Sequence, residues 1–410
     1  MSINNHFVII QLSHTFYERK IIMTATVFYG SPRQARLEAA ESLPAKLDLI
    51  LDLLHLRDRV KDETVCLKLH VGNNIGYSTI HPIFVRKVVQ AIKAGGGKPF
   101  IVDVDWDVEG CTARGYTSEV LDCPVYTSAG IDEKYCYTHE WEYKNMKTWK
   151  VAGMVEDASF LVNFAHVKGH PSCSFGAAFK NIALGCMVGE TRSAIHDTNH
   201  YDKYWFKELC PDKSVMQKIV DSCPFGAVVI DRHDAEEMHV HFEPCNQCMR
   251  CVRVAPPGSL LIQPVNFHSF MEAMAISTAI TLSTFEKEKA VHLALATHMT
   301  PMCDCFGFTT MPVTRDAGIF GSDDIVALDK AILDITAQHP LIPENLPTSI
   351  EIQPDAGHPF AQIHGRFKDP YVVVRYGEKL GLGSQDYELV DVLPVEDLGP
   401  QAKGYYISAK

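Results

Sequence analysis

The sequence lacks any run of about 18 uninterrupted apolar residues, the length a membrane-crossing helix needs. Its nearest approach, FHSFMEAMAISTAITLSTF at 267–285, carries Glu272 and is thick with serine and threonine, so no membrane span is expected. The opening FVIIQL is too short and too weakly flanked by basic residues for a secretory leader. With export disfavoured, 13 cysteines point to a reducing cytoplasm in which some thiols hold metal rather than pair as disulfides. Positive charge is also in short supply. The net charge is −12 with both signs interspersed, which argues against nucleic acid or an anionic membrane as principal partner. Solenoid-type repeats and low-complexity segments are missing. So are the glycine patterns of nucleotide sites: GNNIG at 72–76 is neither G-x-G-x-x-G nor a P-loop with its lysine, and reads as a substrate loop or a simple turn. Nothing marks a flavin or nicotinamide site, so hydride transfer is not favoured.

What is present is enough apolar residue, 46% of 410, for two or three ordinary cores. TATVFYG after Met23 has the look of a first strand, which makes residues 1–22 an appendage. From Thr64, VCLKLHV, a loop, FVRKVVQAIKAGGG and KPFIVDVD spell strand, loop, amphipathic helix and strand, a βαβ unit. A second unit begins with the strand SFLVNF at 159–164, continues through the polar loop HVKGHPSCSFG and enters a helix in AAFKNIALGCM. A third has VHLALATHM as strand, TPMCDCFGF as loop, AGIFGS as a short strand and DDIVALDKAILDITAQ as helix, with Ser322 or Asp323 as N-cap. The expected fold is α/β, a mostly parallel sheet flanked by helices, formed by residues 23–204 and 267–410. An α+β ferredoxin-like module at 205–266 interrupts it.

That module holds FEPCNQCMRCVRVAPPGSL at 242–260. Cys245, Cys248 and Cys251 keep the two-residue gaps of a bacterial ferredoxin loop, but the closing Cys-Pro is replaced by Ala255-Pro256. In two-cluster ferredoxins the cysteine before proline ligates the other cluster. SCPFGAVVID at 222–231 has that Cys-Pro element, while ferredoxin spacing counted back from Cys223 lands on Ile219, Met216 and Lys213. One half has therefore kept only its cross-over cysteine and the other only its three local ones. The losses are complementary: one 4Fe-4S cluster retains Cys223, Cys245, Cys248 and Cys251, and the second site is filled by apolar side chains. Zinc also suits four cysteines, although it usually takes paired C-x-x-C knuckles. A three-cysteine cluster with an exchangeable iron is the further alternative.

HVKGHPSCSFGAAFKNIALGCM at 166–187, the insert, PMCDCFGF at 301–308, DAGIFGSDDIVALDKAILD at 316–334 and YGEKLGLGSQDYEL at 376–389 together resemble the uncharacterised iron–sulfur centre proteins grouped as domain of unknown function 362. The resemblance runs over most of the chain from about residue 23 and implies the fold and the cofactor. Family members usually carry ferredoxin motifs in the insert, so the single cluster looks like a trimmed version.

Several other residues carry chemistry. His166, Lys168 and His170 follow a predicted strand, at the edge of an α/β sheet where ligands bind. Gly169 permits close backbone approach, and a helix starting near Ser174–Gly176 would offer free N–H groups to an anion; Lys180 and Asn181 fall a turn further on. The expectation is a cationic pocket for a carboxylate or phosphate, against a solvated loop whose histidines cap backbone. Cys303 and Cys305 follow another strand and can face the same crevice only if the chain turns, as Pro301 and Gly307 allow. Three readings stay open for them: a second metal site with His170, Cys173 or His298, a redox or nucleophilic thiol, or structural cysteines. Asp323, Asp324 and Asp329 read as a helix N-terminal charge cluster, and Cys66, Cys111, Cys123, Cys136, Cys186 and Cys210 as buried or inert. The resulting expectation is a cytoplasmic enzyme, an oxidoreductase moving single electrons through one cluster to a small anionic substrate between the HVKGH and CDC loops. A soluble donor such as a ferredoxin would supply it, and self-association into a homo-oligomer is left open. The alternatives are a non-redox metal-assisted lyase, hydrolase or transferase with a structural cluster, and a non-catalytic electron carrier.

Overall fold

The computed structural model describes residues 24–397 and Gly399; the expected appendage at 1–22 lies outside them. One eight-stranded sheet organises the chain. In chain order its strands are β1 (Ala25–Gly30), β2 (Thr64–Lys68), β3 (Lys98–Asp103), β4 (Val125–Thr127), β5 (Phe160–His166), β6 (Ala290–Ala296), β7 (Gly318–Ser322) and β8 (Tyr387–Asp391). They lie in the order β8-β1-β7-β6-β5-β2-β3-β4. Only β7 runs against its neighbours; all other pairings are parallel. The expected α/β fold with a mostly parallel sheet is what forms.

The strands are apolar on both faces because helices cover both. Alternation assigns each residue to a side. Val65, Leu67, Phe160, Val162 and Phe164 pack with Val85, Val88, Val89 and Ile92 of the helix Pro82–Ala94. Cys66, Leu161 and Ala165 face the opposite layer, which includes the helices Val265–Ser283 and Ile325–Ala337. The first of these is the apolar run at 267–285, and no described helix is long and apolar enough to cross a membrane. Its hydroxyls are used internally: Ser277 Oγ donates to the Ala183 carbonyl at 2.6 Å and Thr278 Oγ1 to that of Phe179 at 3.4 Å.

The bond to Ala183 closes the C-terminal end of a short helix, Ala178–Ala183, and Asp329 closes the N-terminal end. Its carboxylate accepts from the backbone N–H of Ala178 and of Phe179, each at 3.0 Å, and burial pushes its carboxyl up to about 7 despite these donors. Three expectations are thereby corrected. The helix begins at Ala178 rather than near Ser174–Gly176, and its first N–H groups are taken by Asp329 instead of being free for an anion. Asp329 thus belongs to this helix, not to a charge cluster on its own. The N-cap of Ile325–Ala337 is Asp324, which accepts from Ala327 N at 2.8 Å, while Asp323 pairs with Arg59 at 2.6 Å.

The HVKGH segment also differs from a polar, solvated loop. It is a buried hairpin, Lys168–His170 against Ser174–Gly176, that lies over the chain at Pro301. Gly169 N donates to the Thr300 carbonyl at 2.7 Å, and a Cβ at 169 would stand 2.3 Å from the Pro301 oxygen. Only glycine fits there. Residues 205–266 carry the helix Lys213–Asp221, the antiparallel pair Val228–Ile230 and Met238–Val240, and the helix Arg250–Val254. They share a small core of their own, in which Met216, Ile219, Val240, Phe242 and Leu260 are buried.

Asp329→Ala leaves two buried N–H groups without acceptors and should cost about 2 kcal/mol; Asp329→Asn, isosteric with the protonated acid, should cost clearly less. Denaturant unfolding of the two variants checks the order. Gly169→Ala drives a methyl into backbone and should destabilise by about 1–3 kcal/mol, read in the same way.

Candidate functional site

Parallel strands present their C-terminal ends to one edge of a sheet, where loops converge. The last residues of β2, β3 and β5 are Lys68, Asp103 and His166, and all three line one cavity of about 550 Å³. That volume suits a small molecule. The hairpin adds Lys168 and His170, the short helix adds Lys180 and Asn181, and the helix Gly189–Asp197 adds Arg192 and His196. Cys303 and Cys305 complete the wall. The residues expected in one crevice are therefore brought together.

The cations differ in how they are satisfied. Lys68 Nζ bonds Asp103 Oδ1 at 2.8 Å and Asn181 Oδ1 at 3.2 Å; its stem is admitted by Gly185, where a Cβ would lie 2.1 Å from Lys68 Cε. Arg192 pairs with Glu133 at 2.5 Å. Among the described residues, Lys168 and Lys180 have no carboxylate within salt-bridge reach. Lys180 Nζ stands instead 3.9 Å from Cys303 Sγ.

Cys303 is the electrostatic centre. Burial alone would raise its thiol pKa, but the hydrogen bond from Cys305 and the charges of Lys180, Lys168 and His70 outweigh it and hold the thiol well below its ordinary value. Cys305 moves the other way: its bond to Cys303 and its burial push it well up. The opposite shifts make Cys303 the more acidic thiol of the pair, with Cys305 as its S–H donor. His70 Nε2 lies 3.5 Å from Cys303 Sγ, and His70 Nδ1 lies 3.2 Å from Asp103 Oδ2 and 3.1 Å from Asp107 Oδ2. Burial would lower the imidazole pKa, yet Cys303, Asp107 and Asp103 together raise it well above its usual value. His70, Asp103 and Asp107 are the one trio of possible ligand atoms within 4.8 Å of one another among the described residues. Lys68 Nζ faces the other carboxylate oxygen of Asp103, and the trio sets one imidazole against two carboxylates behind Cys303.

Burial shifts the other histidines of the cavity toward the neutral form. His170 Nδ1 accepts from Ser172 N at 3.1 Å, which leaves Nε2–H toward Cys305 Sγ at 3.9 Å; burial and Lys180 lower its pKa well below the normal range. His166 Nε2 donates to the Thr297 carbonyl at 2.8 Å, and its buried Nδ1 has no partner. Burial and Lys168 bring it down to about 3. Of the other partners considered for the CDC thiols, Cys173 bonds the Phe175 carbonyl, and His298 faces the Thr310 carbonyl. Neither lines the cavity.

Asp304 explains how two thiols one residue apart face the same space. Its carboxylate is buried and accepts from Ser78 Oγ at 2.8 Å and from Thr309 Oγ1 at 2.7 Å, while Asn73 N donates to its carbonyl at 3.2 Å. These bonds hold a tight turn at Asp304–Phe306, closed by Gly307 in the left-handed region at φ +77°, and tie the CDC segment to the GNNIG loop. The cavity residues that sequence reasoning missed include Arg192, His196 and Glu243, which carry no local signal, and Lys68, His70, Asp103 and Asp107. The signal for the last four was the polar residues ending LKLH and beginning DVDWD, both at predicted strand ends.

In the insert, Cys223, Cys245, Cys248 and Cys251 gather on one core. Burial pushes the Cys251 thiol up to about 12, with Cys245, Cys223 and Cys248 adding to the rise. Cys223 Sγ accepts the Ala227 N–H at 3.2 Å. Just before the cysteine loop, Glu243 lines the cavity. It accepts from Ser172 Oγ at 2.6 Å through its side chain and from Lys368 Nζ at 2.8 Å through its carbonyl. Cys66, Cys111, Cys123, Cys186 and Cys210 are buried and Cys136 partly so, each with its thiol pKa raised by burial.

Among curated proteins no match to the chain is found. Among solved structures it is similar to the lactate racemase apoprotein from Thermoanaerobacterium thermosaccharolyticum, at 8% identity and a TM-score of 0.31. That similarity covers 66% of this chain and 50% of the other, so the chain spans about half the length of the protein it matches. The family model described as "Domain of unknown function (DUF362)" matches residues 65–334, about two thirds of the sequence. The chain belongs to this family.

Proposed function

We propose that the protein is an iron–sulfur oxidoreductase that acts on a small anionic substrate held between the HVKGH hairpin and the CDC turn. The observation that carries the reading is the pair of lysines, Lys168 buried and Lys180 partly so, which line a cavity of small-molecule size without carboxylate partners among the described residues. A buried ammonium needs a counter-charge. Cys303 provides one, and a substrate carboxylate or phosphate would provide the other. His166 Nδ1, a buried acceptor with no partner, is available to a substrate hydroxyl. A pure electron carrier would need no such cavity.

Cys223, Cys245, Cys248 and Cys251 would hold one 4Fe-4S cluster. The donor set fits: Cys245 and Cys251 are buried in one small core, Cys223 packs against it, and Cys248 stands close enough to bear on both buried thiols. Met216 and Ile219, at positions where a second cluster would need thiols, are buried apolar side chains. When bound, such a cluster supplies one-electron exchange, with a soluble carrier such as a ferredoxin as donor. Glu243 is the covalent neighbour of this loop that also faces the substrate cavity. For Cys303 and Cys305 the reading is a thiolate and its hydrogen-bond donor, not a second metal.

Anaerobically purified protein should contain about four irons and four sulfides and give a spin-resonance signal that changes with dithionite. Cys248→Ala should lose the brown absorbance while Cys303→Ala and Cys305→Ala retain it; full iron in the first variant would remove the ligand assignment. Lys168→Ala should weaken binding of oxalate, as a probe anion, by about 10- to 100-fold, the value of one charge-assisted hydrogen bond. Calorimetric titration showing unchanged affinity would take the hairpin out of the site.

A further inference from the structure

Cys303 is equipped with more than an anion site requires. Its Sγ is 3.5 Å from His70 Nε2, and the opposite ring nitrogen is 3.2 and 3.1 Å from Asp103 and Asp107. The order sulfur, imidazole, carboxylate is how a thiol is set up for attack on carbon. The imidazole is fixed from behind, because Asp103 also accepts from Lys68 Nζ at 2.8 Å and from Val71 N at 2.9 Å. The whole relay opens onto the cavity, since His70, Asp103, Asp107 and Cys303 all line it.

We propose that Cys303 is a covalent nucleophile paired with His70, and that it adds to the carbonyl carbon of a small carboxylate-bearing carbonyl compound. The inference rests on the anion site assigned above to Lys168 and Lys180. In the step, a sulfur lone pair forms the C–S bond and the C=O π pair moves onto oxygen. The proton on His70 Nε2 passes to that oxygen, leaving a neutral imidazole and a hemithioacetal or hemithioketal. Neither oxidant nor reductant is consumed. A carbonyl is favoured over other electrophiles by the proton donor's place beside the sulfur, where an oxyanion develops. The depressed thiol and raised imidazole pKa values agree with this pairing.

The test is alkylation of Cys303 in the full-length, anaerobic protein, mapped by peptide mass spectrometry so that the cluster cysteines are scored separately. Iodoacetate and iodoacetamide both form a C–S bond and expel iodide, but only the first carries a carboxylate. Iodoacetate should react about tenfold faster at Cys303, the value of one charge-assisted contact. The rate should stay flat between about pH 6 and 8, below the range in which an ordinary thiol ionises. Glyoxylate should protect Cys303 reversibly, and acetate at equal concentration far less. His70→Gln, which removes the proton donor and leaves Lys168 and Lys180 in place, should bring glyoxylate's protection of Cys303 down to that of acetate while the preference for iodoacetate persists. If acetate protects as well as glyoxylate, or the wild-type rate climbs with pH like that of a free thiol, the nucleophile assignment fails and the anion site survives. If iodoacetate has no advantage and neither acid protects, the anion site fails and this inference falls with it. The wild-type measurements decide even if His70→Gln does not fold.

Discussion

A buried thiolate surrounded by cations is the constraint around which the rest of the cavity is arranged. Taking charge out of water costs several kcal/mol per ion unless partners stand close by. Cys303, His70, Lys180, Asp103 and Lys68 form a connected set in which each charge faces an opposite one, and Lys168 stands beside it without a carboxylate partner among the described residues. Their positions follow from backbone devices. The short helix carrying Lys180 is clamped by Asp329 at one end and Ser277 at the other. Gly185 leaves room for the Lys68 stem, and Gly169 lets the hairpin carrying Lys168 lie on the chain that leads to Cys303. Asp304 fixes the turn that brings both thiols to one side. Side chains that look independent in sequence are thus joined through one desolvated charge balance.

Much of the fold was legible because its signals are local. The strands of the βαβ units are continuous apolar runs, and the helix at 82–94 shows its stripe of Val85, Val88, Val89 and Ile92. The sheet edge as a binding place follows from topology alone. What escaped was tertiary. HVKGHPSCSFG is rich in polar residues and glycine, so local composition reads it as solvated loop, yet the sheet edge and the segment at 301–305 cover it entirely. Asp329 looks like part of the acidic start of its own helix. Its true partner is a helix some 150 residues earlier in the chain, and no local pattern announces such a contact.

His70 and Asp103 were hidden for a related reason. Each sits at or just past the end of a strand whose apolar character dominates the reading, and each gains meaning only when β2 and β3 are set side by side in register. Lys68 pairs with Val102 across that register, which carries its side chain within reach of Asp103. The cysteines were easier to see because their spacing is itself the signal. Even so, spacing left three readings of Cys303 and Cys305 open. Geometry separates them by showing that the sulfur of Cys303 faces an imidazole and an ammonium, whereas Cys173 and His298 point elsewhere.

The insert and the sheet meet where Glu243 reaches the cavity. That contact bears on why a module with a core of its own is lodged here. Ser172 of the hairpin and Lys368 of the C-terminal region both hold Glu243, and Gln247, between Cys245 and Cys248, accepts from Phe367 N at 3.1 Å. The cysteine loop is therefore bonded to the hairpin that shapes one wall of the cavity and to the C-terminal segment, which His364 fastens to the Pro301 carbonyl at 2.7 Å. A module that served only to stiffen the chain could dock on any face of the sheet. This one docks on the edge that holds Cys303, and Glu243 runs from just before its cysteine loop to the cavity wall, so that the loop and the charged groups of the cavity share a side chain between them.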